Sequence, residues 1–310
     1  MSLTMRDAFG QKCAELGKTN KNLVVLDADV PASSKSAYFA REFPDRFFNC
    51  GVSEGNMAGV AAGLAASGFH PVINAFAIFL ALKCTDQIRN DFCYNKLPVV
   101  LAGGYAGLSD SFDGASHQAI TDIAIMRAMP NMEVIVPADN NQAGLALEYA
   151  LTRRNPVYIR LNRNDVPDLP ASPASLKAFS GREPLKLQNG HSVTIAANGI
   201  TAPMCLEAAA LLAKDGIDAE VLSVPFVKPM DGKDLAASVE KTGKLVTVEE
   251  HTVMGGFGSA CLEQLCKAGL SFRYDAIGLE DTFAETGPYA ELLAAYGLSA
   301  TAIAERVKKL

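Results

Sequence analysis

The sequence predicts two consecutive α/β domains, the first of them with a mainly parallel sheet. Short apolar runs alternate with helix-like segments along the chain, which is the pattern of α/β proteins. The 310 residues are enough for two hydrophobic cores. A polar stretch with three prolines, residues 165–175, has the composition of a linker. We therefore expect a first domain over 1–165, a linker over 166–185 and a second domain over 186–310.

Within the first domain, short apolar runs predict buried strands and longer mixed segments predict helices. The expected helices cover residues 5–17, a Gly/Ala-rich segment that begins near Asn56, and residues 80–94, 120–129 and 140–152. The expected strands cover residues 23–27, 47–50, 71–74, 98–102, 133–136 and 157–161.

The second domain repeats this alternation, which indicates further strand–helix–strand units. Strands are expected over residues 193–197, 219–224 and 244–249, and helices over 201–214 and 231–241.

Composition and charge exclude several classes of protein. The chain is 49% hydrophobic and 20% charged, as soluble globular proteins are, and its net charge of −6 argues against a nucleic-acid surface. Seven cysteines without a CxxC pair suggest reduced thiols rather than a disulfide framework or a zinc site. The N-terminus has no secretory signal pattern, so we expect a cytoplasmic protein. Residues 56–82 are uncharged, but Gly68 and Pro71 interrupt them, which favours a buried core over a membrane span.

Polar loops are expected after four strands of the first domain. Because ligands of α/β sheets bind at the carboxyl ends of strands, these loops are candidates for a site. The longest ends with Asp113-Gly114 and His117, so an acid and an imidazole can share one pocket. The loops cover residues 27–34, 49–54, 74–79 and 103–117.

Glu54 is a single carboxylate within the apolar, small-residue run GVSEGNMAG, residues 51–59. No Lys, Arg or second acid lies between Glu54 and Lys83, so the nearby chain offers no partner. A buried carboxylate without a partner is costly. We therefore expect Glu54 either to be exposed, for example in the first turn of a helix, or to be reserved for a ligand.

Several motifs resemble the transketolase family in order and spacing. The pyrimidine-binding half of transketolase is similar to GVSEGNMAG at 51–59, AFAIF at 75–79, DGASHQ at 113–118 and MPNMEVIVPADNNQ at 129–142. The second domain resembles the transketolase C-terminal domain, including Val248-Glu-Glu-His251 before Gly255-Gly-Phe-Gly. The resemblance covers nearly the whole chain but not the first half of transketolase, and the GDG motif of that half does not occur here.

The resemblance implies a site for the pyrimidine of thiamine diphosphate. Glu54 would hydrogen-bond to the ring nitrogen and favour the tautomer that acts as a base. Phe79 would stack on the ring, and Phe76 completes the family's aromatic pair, although both could simply pack in a core. Asp29 is similar to the family acid near the thiazolium, with a role in a turn as the alternative.

The resemblance also implies a sugar-phosphate site. His117 corresponds to a histidine beside the donor hydroxyls, and Asp113 to an acid that recognises their stereochemistry. Arg6, Ser33 and Arg163 fall at positions similar to phosphate contacts, with surface ion pairs or caps as the alternative. A second family histidine is replaced by the Gly104-Tyr105 region, and the loop length differs slightly, so phosphate recognition could be altered. His70, His191 and His251 have no such context and are expected to be structural or at the surface.

The implied activity is transfer of a two-carbon ketol unit from a ketose phosphate to an aldose phosphate, as in the pentose phosphate pathway. The implied partner is a transketolase N-terminal subunit that holds the diphosphate with Mg²⁺ or Ca²⁺, in an α2β2 assembly. No metal ligand is expected in this chain. Three alternatives remain: a 2-oxoacid dehydrogenase β subunit, a 1-deoxyxylulose-5-phosphate synthase and a non-catalytic subunit. A dinucleotide site at Gly255-Gly-Phe-Gly is disfavoured because the spacing is not GxGxxG.

Overall fold

The computed structural model describes residues 3–169, 179 and 182–310, and two α/β units follow one another in it. The expected fold class is confirmed. Residues 170–178 and 180–181 of the expected linker lie outside the described part of the chain.

The first unit alternates strands and helices, as the sequence predicts. Its helices are α1 (Met5–Thr19), α2 (Pro31–Ser34), α3 (Ala37–Glu42), α4 (Glu54–Ala66), α5 (Ala77–Lys83), α6 (Thr85–Gln87), α7 (Asp122–Ala128) and α8 (Asn140–Ala150), with a 3₁₀ turn at Pro44–Arg46 and a π-helical turn at Ile88–Tyr94. Its strands are β1 (Leu23–Asp27), β2 (Phe47–Asn49), β3 (His70–Phe76), β4 (Val100–Gly104), β5 (Glu133–Ile135) and β6 (Val157–Arg160).

The second unit has the same layered design. Its strands are β7 (Leu185–Gln188), β8 (Val193–Ala197), β9 (Ala219–Ser223), β10 (Phe226–Lys228), β11 (Lys244–Thr252) and β12 (Arg273–Leu279). Its helices are α9 (Thr201–Lys214), α10 (Lys233–Thr242), α11 (Phe257–Lys267), α12 (Tyr289–Ala295) and α13 (Ala300–Lys308).

Both sheets are parallel except at one edge strand each. Within the described residues the first sheet has seven strands in the order β10-β5-β6-β4-β3-β1-β2, and only β10 is antiparallel. The second has five in the order β12-β11-β8-β9-β7, and only β7 is antiparallel. The central strands β1, β4 and β8 are buried throughout, because helices cover both faces of a parallel sheet.

Strand β10 joins the two units. It follows β9 of the second unit in sequence, yet it pairs with β5 of the first sheet, with Phe226 opposite Ile135. The Phe226 ring lies 4.9 Å from that of Tyr149 and 5.5 Å from that of Phe179, between centroids. The chain therefore crosses from one sheet to the other and back, and the two units share apolar packing.

The expected helix over residues 80–94 is divided in the structure. Helix α5 ends at Lys83, and a short helix and a π-helical turn follow. The Thr85 hydroxyl donates to the carbonyls of Ala81 and Leu82, and a hydroxyl that bonds to the preceding turn bends a helix. In the described part of the chain, no helix is long and apolar enough to cross a membrane.

We predict that Phe226→Ala destabilises both units together. Removing this ring, which is 1% exposed, leaves a cavity between the sheets and should lower the free energy of unfolding by about 3–5 kcal/mol. Phe69→Ala, at a side chain that is 39% exposed, is the control and should change little. Urea denaturation followed by circular dichroism measures both. Equal, small losses in the two variants would contradict the joining role of β10.

Candidate active site

Four neighbouring strands place their following loops at one edge of the first sheet. The strands β6, β4, β3 and β1 are adjacent and parallel, so their carboxyl ends lie side by side. Arg163, Tyr105, Phe79 and Ser33 follow these strands in that order. The candidate residues of the sequence analysis therefore come from loops that meet in space.

Glu54 is buried and has a partner within the chain, contrary to the expectation that it has none. It is the first residue of α4, and its side chain is 6% exposed. The Lys83 ammonium donates to Glu54 Oε1 at 2.9 Å. Its Nζ also lies 3.9 Å from the centre of the Phe79 ring. One half-exposed lysine thus neutralises the buried carboxylate and covers an aromatic face.

An aromatic cluster surrounds this pair. Phe76 and Phe79 are stacked with centroids 5.8 Å apart. The His117 ring meets the Phe79 ring edge-on at 5.1 Å, and it lies 6.1 Å from the Phe76 ring. Tyr105 packs against Phe76 at 4.4 Å. The structure therefore brings His117 to the same cluster as both phenylalanines.

Tyr105 lies between two arginines. Its ring centre is 4.7 Å from Cζ of Arg6 and 4.9 Å from Cζ of Arg163. Arg6 donates to the Tyr105 hydroxyl at 3.1 Å, to the carbonyl of Arg163 at 3.0 Å and to the carbonyl of Ser33. Arg6 Nε is buried without a hydrogen-bond partner among the described residues. The three residues expected to bind phosphate are thus brought together around Tyr105.

Asp110 adds a second acid to the loop that carries Asp113. It is fully buried, and Arg163 donates to its Oδ1 at 3.0 Å. Burial and then the nearby Asp113 carboxylate raise the pKa of Asp110, Arg163 and His117 act in the opposite direction, and the net value is about 6. Asp113 itself is exposed, and the His117 ring contacts the Ser116 hydroxyl at 2.9 Å. The buried acid of this loop is therefore Asp110, which pairs with Arg163, whereas His117 contacts Ser116 and the aromatic rings.

Asp29 lies apart from these contacts. It is exposed, its φ of +66° is left-handed, and its carboxylate accepts from Asn49 at 2.8 Å. Asp27 organises the turn instead: it accepts from the Val30 amide at 2.6 Å and from the hydroxyls of Ser34 and Ser36. Burial raises the pKa of Asp27.

The Gly255-Gly-Phe-Gly turn surrounds a protein carboxylate. Glu249 accepts from the amides of Phe257 at 2.6 Å and Gly258 at 2.8 Å, at the start of α11. A Cβ on Gly256 would lie 2.2 Å from Glu249 Oε2, so a larger residue does not fit there. The helix terminus that a dinucleotide phosphate would need is filled by the chain itself.

The remaining histidines lie away from the cluster. His251 is fully buried beneath this turn, and burial lowers its pKa to about 4. His191 is exposed and pairs with Asp218, whereas burial lowers the pKa of the half-buried His70. No group of three or more His, Cys, Asp or Glu residues in the described ranges could hold a metal ion.

Three residues that the structure places at the site were not assigned a contact there from sequence: Lys83, Tyr105 and Asp110. Lys83 lies four residues after Phe79 on α5, a spacing that places both on one helix face, so this signal was present. Tyr105 has a left-handed φ of +58° directly after β4, and nothing in its sequence context indicates that conformation. Asp110 was one of two acids in the loop, and only the fold shows that it is the buried one.

Comparisons with known proteins relate both units to one family. The profile of the transketolase pyrimidine binding domain matches residues 1–168, and that of the transketolase C-terminal domain matches 183–303. A solved structure described as a split gene transketolase in an inactive β4 tetramer is 42% identical, with a TM-score of 0.91, over 99% of this chain and 98% of its own.

Curated relatives fall into two groups by length. A protein of Methanocaldococcus jannaschii, named as a transketolase C-terminal section, is 40% identical over 98% of this chain and 95% of its own length. A 6-deoxy-6-sulfo-D-fructose transketolase subunit of Clostridium sp. strain MSTE9 is 37% identical over 96% and 92%. A 1-deoxy-D-xylulose-5-phosphate synthase of Symbiobacterium thermophilum is 36% identical over 100% of this chain, which spans only 47% of that protein.

We predict that Asp110→Asn changes how stability depends on pH. Because the folded state raises the pKa of this carboxyl to about 6, its contribution to stability is complete below the ordinary value near 3.8 and is lost as the pH rises through about 6. The stability of the wild type relative to the variant should therefore fall between about pH 4 and about pH 7. Urea titrations across this range measure it, with the exposed Asp45→Asn as control. Parallel pH profiles for Asp110→Asn and the wild type would contradict the assignment.

Proposed function

Because the chain belongs to the transketolase family, whose members use thiamine diphosphate, we propose that it is the smaller subunit of a split transketolase. With a larger subunit it transfers a two-carbon ketol unit from a ketose phosphate to an aldose phosphate. The observation that carries this proposal is the buried Glu54 carboxylate, whose partner Lys83 also covers the face of the Phe79 ring, within the matched pyrimidine domain.

The position of the Lys83 ammonium tests whether a pyrimidine fits these residues. Its nitrogen is 3.9 Å from the centre of the Phe79 ring, so it lies against the ring face. It is also 2.9 Å from Glu54 Oε1, which is the distance of a hydrogen-bonded ring nitrogen. The ammonium therefore stands where one edge of an aminopyrimidine would satisfy both contacts, and the residues fit the group.

Each side chain then has a distinct role. When bound, thiamine diphosphate supplies a nucleophilic carbon for cleavage of the ketose carbon–carbon bond. Glu54 holds a proton at the pyrimidine nitrogen, and Phe79, with Phe76 behind it, stacks on that ring. His117 exchanges a proton with the donor hydroxyls. Asp29, which lies outside the aromatic cluster, would approach the thiazolium.

Substrate recognition is proposed for the loops beside this ring. Asp113 recognises the stereochemistry of the donor hydroxyls, and Arg6, Arg163 and Ser33 bind the phosphate. Tyr105 occupies the place of the second family histidine between the two arginines. Because Asp110 already pairs with Arg163, phosphate binding here has to compete with a carboxylate.

A partner subunit completes the site in this proposal. The larger subunit holds the diphosphate with Mg²⁺ or Ca²⁺, the assembly is α2β2, and the isolated chain is inactive. The relative described as an inactive β4 tetramer supports this, as does the relation in length to the synthases, of which the chain spans about half.

We propose domains over 1–165 and 186–310 with a linker over 166–185. The seven free cysteines support a cytoplasmic enzyme, and its reaction fits the pentose phosphate pathway.

We predict that Glu54→Gln abolishes most ketol transfer by the assembled complex. An amide cannot hold the proton at the pyrimidine nitrogen, so turnover should fall about 100-fold or more. Turnover is measured with thiamine diphosphate in three mixtures. The first contains a ketose phosphate and an aldose phosphate, the second pyruvate and the aldose phosphate, and the third pyruvate without it. Glu42→Gln, at an exposed position on α3, is the control.

Three outcomes would contradict the proposal. Full activity of Glu54→Gln indicates a regulatory or scaffold subunit. If the complex joins pyruvate to the aldose phosphate and does not use a ketose phosphate, it is a deoxyxylulose-phosphate synthase. If it only decarboxylates pyruvate, it is an oxoacid dehydrogenase.

We predict that Lys83→Met increases the affinity of the complex for thiamine diphosphate severalfold. The pyrimidine has to displace the ammonium from Glu54 and Phe79, and a methionine removes that competition. Isothermal titration calorimetry measures the dissociation constant. Lys18→Met, which breaks an exposed pair with Glu42, is the matched control and should leave the affinity unchanged. Weaker binding by Lys83→Met would mean that the lysine contacts the cofactor directly.

A further inference from the structure

Glu250 is a buried acid of the second unit whose side chain reaches into the first. It lies near the end of β11 and is 2% exposed. Its carboxylate accepts from the Leu108 amide at 2.9 Å, from Asn162 Nδ2 at 3.2 Å and from the Tyr289 hydroxyl at 2.7 Å. Leu108 follows β4 and Asn162 follows β6, so one carboxylate joins two loops of the candidate site.

The first of these loops is shaped to receive the carboxylate. Gly107 has a left-handed φ of +64°, and a Cβ at this position would lie 2.3 Å from the carboxyl carbon of Glu250. Only glycine permits both the conformation and the close approach. The backbone of residues 107 and 108 therefore wraps around the acid.

Both loops continue directly to the proposed phosphate ligand Arg163 or to its ion-pair partner Asp110. Leu108 precedes Asp110 by two positions, and Asn162 immediately precedes Arg163. The Arg163 amide donates to the Ser109 hydroxyl at 3.2 Å, and the Arg163 side chain donates to Asp110 at 3.0 Å. A shift of either loop would change the relative positions of these charged groups.

The neighbouring acid, Glu249, serves a different purpose. It is 1% exposed, and burial raises the pKa of both Glu249 and Glu250 to about 7. Its hydrogen-bond donors, the amides of Phe257 and Gly258, belong to the second unit. Both acids are therefore buried carboxyl groups with a raised pKa, but only Glu250 hydrogen-bonds to loops of the candidate site.

We propose that Glu250 is a positioning residue: from the second unit it fixes the two loops that carry Asp110, Arg163 and His117, and so gives this unit a part in substrate binding. This inference rests on the proposed function for the identity of the substrate. None of the hydrogen bonds of Glu250 reaches α4 or α5, which carry Glu54 and Phe79. The residue therefore acts most directly on the sugar half of the site, and it reaches the aromatic cluster only through the loop that carries Tyr105 and His117.

The test compares Glu250→Gln with Glu249→Gln in the assembled holoenzyme. In Glu250→Gln an amide replaces an acceptor of three hydrogen bonds, so the loops loosen. We expect the KM for the ketose donor to rise about tenfold or more, with smaller changes in kcat and in the cofactor dissociation constant. Amide hydrogen exchange over residues 105–117 should become faster. Glu249→Gln should lower the melting temperature without either effect.

Tyr289→Phe keeps the test decisive if Glu250→Gln does not fold. It removes one donor to the carboxylate and should produce a smaller increase in exchange over the same residues. Unchanged exchange over 105–117 in Glu250→Gln or in a folded Tyr289→Phe variant would overturn the inference, as would an equal rise in KM in Glu249→Gln. The exchange measurement needs no substrate. If the complex shows no ketol transfer but exchange over residues 105–117 still becomes faster in Glu250→Gln, the proposed function is rejected and the positioning role of Glu250 is kept.

Discussion

The buried carboxylate of Glu54 is the charge that the rest of the candidate site has to accommodate. At the start of α4 it is nearly inaccessible to water, and such a charge is tolerated only with a partner. The chain supplies Lys83, whose ammonium also covers Phe79. Half of the lysine side chain is exposed, whereas the carboxylate is held in place, so the lysine is the member of the pair that can leave. A group that combines a hydrogen-bond donor with a flat aromatic ring can replace it, and this is the basis of the proposed cofactor site.

Buried charges also connect the two units. Arg160 at the end of β6 is 5% exposed and donates to Asp122 at 2.8 Å and to the carbonyl oxygens of Ala119 and Glu250 at 2.9 Å each. Leaving the Arg160 charge unpaired in this position would cost far more free energy than the pairs themselves contribute to stability. The network therefore specifies how the loops after the first sheet meet β11. Together with the crossing of β10, it explains why substrate loops in one unit can depend on an acid in the other.

Much of the fold followed from patterns of hydrophobic residues, and what was missed has identifiable causes. The buried strands β1 and β8 and the helix α9 have the bounds that were expected, because their apolar runs are local signals. Strand β10 was missed because three residues give too little pattern and their partner lies in the other sheet. Most candidate residues did meet at one sheet edge, as parallel topology requires. The pairing of Glu54 with Lys83 was not foreseen, because it joins residues 29 positions apart through the angle between two helices. The burial of Asp110 depends in the same way on tertiary structure.

A structure of the complex of this chain with its larger subunit and thiamine diphosphate, determined by cryo-electron microscopy, tests the central claim most directly. The account predicts that Lys83 Nζ has left the face of Phe79, that the pyrimidine lies in its place and that Glu54 is within hydrogen-bond distance of the ring nitrogen. A cofactor bound elsewhere while the Glu54–Lys83 pair stays intact would contradict it.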